Sequence, residues 1–168
     1  TRLEDGSQLI STENVCINNI LREISEELGV LPPEERLELH INFSEEVTRA
    51  GNNSLIGSIF SNLTKNAIAY SGGRNIYITL LENTEKLCRI RFEDDGQGVD
   101  PKHLSRLFER FYRIDKGRSR KLGGTGLGLS IVKHAVQFHG GTISVTNRHQ
   151  GGLQFDFTLK NSPYERKK

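Results

Sequence analysis

The sequence predicts an α+β domain, a two-layer α/β sandwich in which helices cover one face of a mixed, mainly antiparallel sheet. Three observations predict it. The element order reads helix, strand, helix, hairpin, long loop, helix, hairpin, which is not the regular strand–helix alternation of a doubly wound sheet. Apolar residues switch between helical and alternating periods from one segment to the next. A chain of 168 residues, 35% hydrophobic and 26% charged, suits a single domain with a modest core.

The opening "TRLEDGS" reads as the end of a helix that breaks at Gly6. Residues 13 to 28 place Val15, Ile17, Ile20, Leu21, Ile24 and Leu28 at helical spacing, predicting a helix that ends at Gly29. "VLPPEER" is a loop, and "LELHINF" alternates as a half-buried strand. "NSLIGSIFSNLTKNAIAYS" is a helix with Ile56, Ile59, Phe60, Leu63 and Ala67 along its apolar stripe. Ile76, Ile78 and Leu80, then Cys88, Ile90 and Phe92, form a hairpin around "ENTEK". From Gly96 to Gly124 nothing longer than a turn or two suggests itself, and a loop of that length in a compact domain is functional or disordered. A helix then runs to about His139, and a second hairpin buries Phe155, Phe157 and Leu159.

Composition removes several function classes. No apolar run approaches the roughly 18 residues of a membrane span, and no secretory signal is visible. Methionine is absent even at position 1, which predicts a segment of something longer. Cys16 and Cys88 lack metal-ligand spacing and read as reduced thiols in a cytosolic setting. Between Asp100 and Gly123 stand eight basic and three acidic residues, on a body that is slightly acidic. That local excess argues against general nucleic-acid binding and suits a confined polyanion site.

Four stretches carry the chemistry. In "SNLTKNAIAYS", Asn62, Asn66 and Tyr70 are spaced to share one helical face, where a side-chain carbonyl can meet a hard cation such as Mg2+. Read alone, the stretch is equally a solvated helix face. "FEDDGQGVDP" ends a strand with Asp94, whose ionised carboxylate only accepts hydrogen bonds and so suits the amine of adenine over the carbonyl of guanine. Gly96 and Gly98 would let a flat ring approach; the plainer alternative is an Asp-Gly turn. "LFERFYRIDKGRSRK" offers Phe108, Phe111 and Tyr112 for docking and a row of cations for phosphates, as a lid or as a disordered basic loop. "GGTGLGLSIVKHAV" matches neither the dinucleotide fingerprint nor the P-loop, but feeds backbone N–H groups and a helix start toward an anion.

In this order the four stretches resemble the N, G1, F and G2 boxes of the ATP-binding catalytic domain of bacterial sensor histidine kinases, in the wider group that includes gyrase and MutL. The resemblance implies the Bergerat fold with a long ATP lid at about residues 100–123. It implies a catalytic domain over 13–160, a remnant of the dimerisation hairpin and linker over 1–12, and a C-terminal tail over 161–168. Asn66 becomes the Mg2+ ligand, Asp94 the holder of the adenine amine and Tyr70 a wall against the ring. Arg113, with Tyr112 beside it, would reach the phosphates. Gly124, Thr125, Gly126, Leu127 and Gly128 would line the phosphate path, the glycines also serving as a hinge. Gly96 and Gly98 fall within the nucleotide-binding set, and Asn62, Asn66 and Arg113 are the residues implied in catalysis.

Hydrolysing relatives place a glutamate four residues before the Mg2+ asparagine. Asn62 stands there in this chain and cannot take a proton from water at neutral pH. The resemblance therefore implies phosphoryl transfer from Mg2+-bound ATP to a histidine on the protein's own upstream hairpin, with a response-regulator receiver as the next partner. It further implies a cytoplasmic domain, a monomer as this fragment and a homodimer at full length, whether or not the whole kinase is membrane-bound. None of His40, His103, His134, His139 or His149 has the acceptor's His-Glu/Asp context, so all five read as surface or structural. Ala69 occupies a position where many members carry Lys or Arg; losing that phosphate contact costs about 1.5–3 kcal/mol unless a lid cation replaces it. A hydrolase of the same group and a non-catalytic sensor or scaffold module are the alternatives.

Overall fold

The computed structural model describes residues 12–114 and 127–161. Strand β1 (Glu13–Cys16) runs directly into helix α1 (Ile17–Gly29), and a 3-10 turn over Pro33–Glu35 leads to β2 (Glu38–Asn42). Then come β3 (Thr48–Gly51), α2 (Asn53–Asn66) and a π-helical turn over Ala67–Ser71. The long pair β4 (Asn75–Asn83) and β5 (Cys88–Asp94) is followed by the single-turn helix α3 (Pro101–Leu104). Helix α4 (Gly128–Phe138), β6 (Ile143–Asn147) and β7 (Leu153–Leu159) complete the described chain.

Five strands form one sheet in the order β2-β4-β5-β7-β6. β2 runs parallel to β4, with Ile41 opposite Ile78; the other three pairs are antiparallel. Alternation then sorts side chains by face. Ile76, Ile78, Ile90, Phe92, Phe155 and Phe157 point inward and are buried under Leu21, Ile56, Ile59, Phe60, Leu63, Val132 and Val136 of the helices. Phe60 of α2 meets Phe157 of β7 edge to face, with centroids 5.7 Å apart. Each such side chain contributes about 1.5–3 kcal/mol by leaving water, so this layer dominates the stability. The opposite face is polar. His40 stacks on Tyr77, and Arg91 pairs with Asp156 at 2.7 Å. The expected two-layer sandwich with a mixed sheet is therefore the observed one.

Two elements depart from expectation. Residues 13–16 form a strand and not the first helical turn, because they pair antiparallel with Thr48–Gly51 in a separate two-stranded sheet. The junction is fixed by Ile17 N–H donating to the Val47 carbonyl and Val47 N–H donating to Asn18 Oδ1, both at 2.9 Å. The second departure is the π turn. The regular α-helix stops at Asn66 and Tyr70 stands in the π turn, so the three residues Asn62, Asn66 and Tyr70 do not follow one unbroken α-helical spacing.

Candidate functional site

Helix α2 presents the first part of the site. Its N-terminus is capped by Asn52, whose Oδ1 accepts the Leu55 N–H at 2.9 Å. Asn52 is held in turn by His139, whose Nε2 accepts the Asn52 N–H at 3.0 Å while Nδ1 bonds the Ala135 carbonyl at 2.8 Å. These two contacts specify a neutral ring protonated at Nδ1, and burial lowers its pKa below the usual histidine value. Among the five histidines His139 is thus structural, as expected, and it ties the end of α4 to the start of α2.

Further along α2, Asn62 Nδ2 donates to the Ser58 carbonyl at 2.8 Å. Its amide oxygen faces the start of α4, where a Cβ added to Gly128 would stand 3.2 Å from it. Asn66 is half-buried, and its side chain makes no hydrogen bond to the described residues. Tyr70 is also half-buried, in the π turn, and its carbonyl accepts from Gln97 Nε2 at 3.2 Å. The π turn therefore joins the Asn helix to the loop after β5.

That loop begins with two adjacent acids that do different things. Asp94 is 3% exposed. Its Oδ1 accepts the Gly96 N–H at 2.9 Å and the Leu153 N–H at 3.3 Å, whereas Oδ2 has no partner among the described residues. Burial raises the Asp94 pKa, against the lowering effect of those two N–H groups. Asp95 faces the other way. Burial alone would raise it too, but hydrogen bonds from the Asn75 amide and the backbone N–H groups of Arg74 and Asn75 outweigh that and hold it below the usual range. Asp95 is a brace for the strand end; Asp94 has an acceptor to spare.

The glycines here are first occupied by protein. A Cβ on Gly96 would lie 2.1 Å from the Ser71 carbonyl oxygen, and one on Gly98 would lie 2.5 Å from Asn147 Oδ1. Approach by a planar ligand concerns only their other faces. Gly98 (φ 70°) and Gly152 (φ 99°) also sit in the left-handed region that favours glycine.

The segment from Phe108 to Arg113 divides its aromatic residues. Phe108 docks on the body, edge to face with Phe155 at 6.2 Å. Phe111 is 61% exposed and is the only non-glycine residue with positive φ, at 66°, among the described residues. Tyr112 hydrogen-bonds through its hydroxyl to Nδ1 of His103. Arg113 is half-buried next to it. Leu127 and Gly128 open α4, with the Leu127 carbonyl accepting the Ile131 N–H at 3.0 Å and Ser130 Oγ at 2.8 Å. Gly124, Thr125 and Gly126, residues 115–123 of the proposed lid, the hairpin remnant over 1–11 and the tail from 162 lie outside the described residues.

Sequence reasoning missed Asn147, Gly152 and His103. Asn147 clamps Val99, and Gly152 passes so close to Asp94 that a Cβ would fall 2.0 Å from the Asp94 carbonyl oxygen. Only the adjacent glycines of "HQGGL" signal anything locally. As for a metal, no group of three His, Cys, Asp or Glu comes together among the described residues. The donor chemistry nevertheless fits Mg2+, which keeps several waters, takes phosphate oxygens and needs only one or two from protein, such as the unengaged amide of Asn66. No helix among the described residues is long and apolar enough to cross a membrane.

Residues 51–163 match the family described as histidine kinase-, DNA gyrase B-, and HSP90-like ATPase. The sensor histidine kinase RppB of Synechocystis is 36% identical over 162 residues, covering 95% of this chain and 35% of that protein. WalK of Bacillus subtilis is 42% identical over 112 residues, covering 66% of this chain and 18% of that protein. Among solved structures, the catalytic domain of histidine kinase ThkA aligns with a TM-score of 0.77 at 24% identity, over 93% of this chain and 99% of that one. Full-length ShkA in complex with AMPPNP aligns with a TM-score of 0.76 at 25% identity, over 91% of this chain and 32% of that one. The chain belongs to the histidine kinase-, DNA gyrase B-, and HSP90-like ATPase family and is an ATP-binding domain of the sensor histidine kinase type. It spans about a fifth to a little over a third of these two relatives' length.

Proposed function

We propose that this domain binds Mg2+-bound ATP between α2 and the loop after β5, and delivers the γ-phosphoryl group to a histidine on the dimerisation hairpin of a two-component sensor kinase. The observation that carries this is the division of labour in Asp94. One oxygen is fixed by two backbone N–H groups and the other is left as a buried acceptor, which is what recognition of an exocyclic amine requires. Tyr70 would flank the base, and Arg113 would contact the phosphates. Residues 124–128 would line the phosphate path. Asn66 would offer its amide oxygen to the metal, which when bound supplies charge neutralisation for phosphoryl transfer. The relative seen with AMPPNP supports a nucleotide in this fold.

Transfer to a histidine is favoured over hydrolysis by Asn62. Its amide donates to its own helix, and an amide cannot serve as a base for water. The partners that follow from this reading are the hairpin, a response-regulator receiver domain and a second copy of the full-length protein joined through the hairpin. The site of action is the cytoplasm.

Calorimetric titration with a non-hydrolysable ATP analogue, with and without Mg2+ and against the GTP analogue, tests the reading. Saturable, adenine-selective binding strengthened by Mg2+, with little phosphate released from ATP, is expected. No binding up to millimolar nucleotide would overturn it in favour of a scaffold module. Rapid phosphate release would point to a hydrolase.

A further inference from the structure

From Asp100 to Tyr112 the chain is folded by four successive three-residue steps. The N–H of His103 bonds the Asp100 carbonyl, Arg106 that of His103, Glu109 that of Arg106 and Tyr112 that of Glu109, at 2.9 to 3.3 Å. The first step is anchored by the Asp100 side chain, which accepts the Lys102 N–H at 3.0 Å, and by Pro101 at the head of α3. Phe108 ties the middle to the sheet. His103 and Tyr112 thus stand at two ends of a braced run, and the bond from the Tyr112 hydroxyl to His103 Nδ1 closes it side chain to side chain.

Tyr112 is gripped on its ring as well. The Arg106 guanidinium lies 4.5 Å from the ring centroid and is itself held by both carboxylate oxygens of Glu109 at 3.0 to 3.2 Å. Immediately before Tyr112, Phe111 adopts φ 66°, a conformation that costs a bulky residue energy and persists only where its surroundings over-determine it. Phe111 is exposed, and its ring meets the Arg110 guanidinium 5.5 Å from the centroid, whereas the ring and hydroxyl of the next residue are both held.

We propose that His103 is a positioning residue for the phosphate end of the site. It holds Tyr112 by the hydroxyl, Tyr112 keeps the inverted backbone at Phe111, and together they set the direction of Arg113. The inference rests on the proposed nucleotide function and adds to it a residue that touches neither base nor phosphate.

The test compares affinities for the Mg2+-bound ATP analogue and for adenosine in the wild type, His103→Ala, His103→Asn, Tyr112→Phe and the His103→Ala/Tyr112→Phe pair. His103→Ala is expected to weaken the triphosphate roughly tenfold, the scale of one lost hydrogen bond, and to leave adenosine unchanged. Asn, whose Oδ1 can accept the hydroxyl, should recover most of that loss. Tyr112→Phe should reproduce the loss, and the double variant should add nothing to it. Equal losses for adenosine and triphosphate, no loss in His103→Ala, or additive single effects would each overturn the proposal. A wild type that binds adenosine but does not prefer the triphosphate would fail differently, sinking the function and this inference with it.

Discussion

Asn147 holds Val99 by both sides of its peptide: the Val99 N–H donates to Asn147 Oδ1 at 2.9 Å, and Asn147 Nδ2 donates to the Val99 carbonyl at 2.7 Å. The side-chain amide thereby acts as a short strand partner at the end of β6, and it secures the loop that starts at Asp94. Asn147→Ala removes both bonds, at about 0.5–1.5 kcal/mol each. Urea unfolding should show a loss of about 1–3 kcal/mol, and ATP-analogue affinity should fall in a variant that is still folded. Unchanged affinity would detach this clamp from the site.

Asp94→Asn keeps shape and replaces a possible acceptor by an NH2 donor. With one carbonyl oxygen retained for the Gly96 and Leu153 N–H groups, the donor falls where the free carboxylate oxygen stood. Affinity for the ATP analogue should drop about 10- to 100-fold, and the preference for adenine over guanine should shrink. Calorimetry with both nucleotides reads the two effects; a variant that keeps its selectivity would take the adenine contact away from Asp94.

Gly152→Ala should be among the most damaging single-methyl substitutions in the chain. The added Cβ would meet the Asp94 carbonyl oxygen at 2.0 Å and Asp94 Oδ1 at 2.7 Å, at a φ of 99° that alanine rarely adopts. We expect a loss of about 3 kcal/mol or more, since strain and collision add. Thermal unfolding checks it, with Gly29→Ala as the comparison, because nothing lies within 4 Å of a Cβ there.

Stability should fall on mild acidification through His139. Its folded pKa lies below the unfolded value near 6.5, so as pH drops below about 6.5 the unfolded chain takes up a proton that the folded chain refuses. The unfolded state is then favoured, by at most about 1.4 kcal/mol per pH unit from this one group, until pH reaches the folded pKa. Above pH 7 the ring is neutral in both states and contributes no slope. Urea midpoints between pH 7.5 and 5.5 for the wild type and His139→Gln isolate the effect; equal slopes would refute it.

Much of this protein was legible in the sequence because it depends on local pattern. Apolar period alone separated the helix at Ile56–Leu63 from the strands at Ile76–Leu80 and Cys88–Phe92. Residue chemistry proposed Asp94 as an acceptor and Asn62, Asn66 and Tyr70 as a polar rim, and the family resemblance chose Asn66 among them. The tertiary structure decided what depends on distant partners. Strand β1 exists because Thr48–Gly51 returns beside it from beyond α1 and β2. Asp94 differs from Asp95 because it is buried, with Leu153 and Gly96 reaching one oxygen, while Asn75 and Arg74 reach the other acid. No local period encodes which neighbour arrives from another strand, yet burial and hydrogen-bond partners determine which oxygen stays free and which histidine stays neutral.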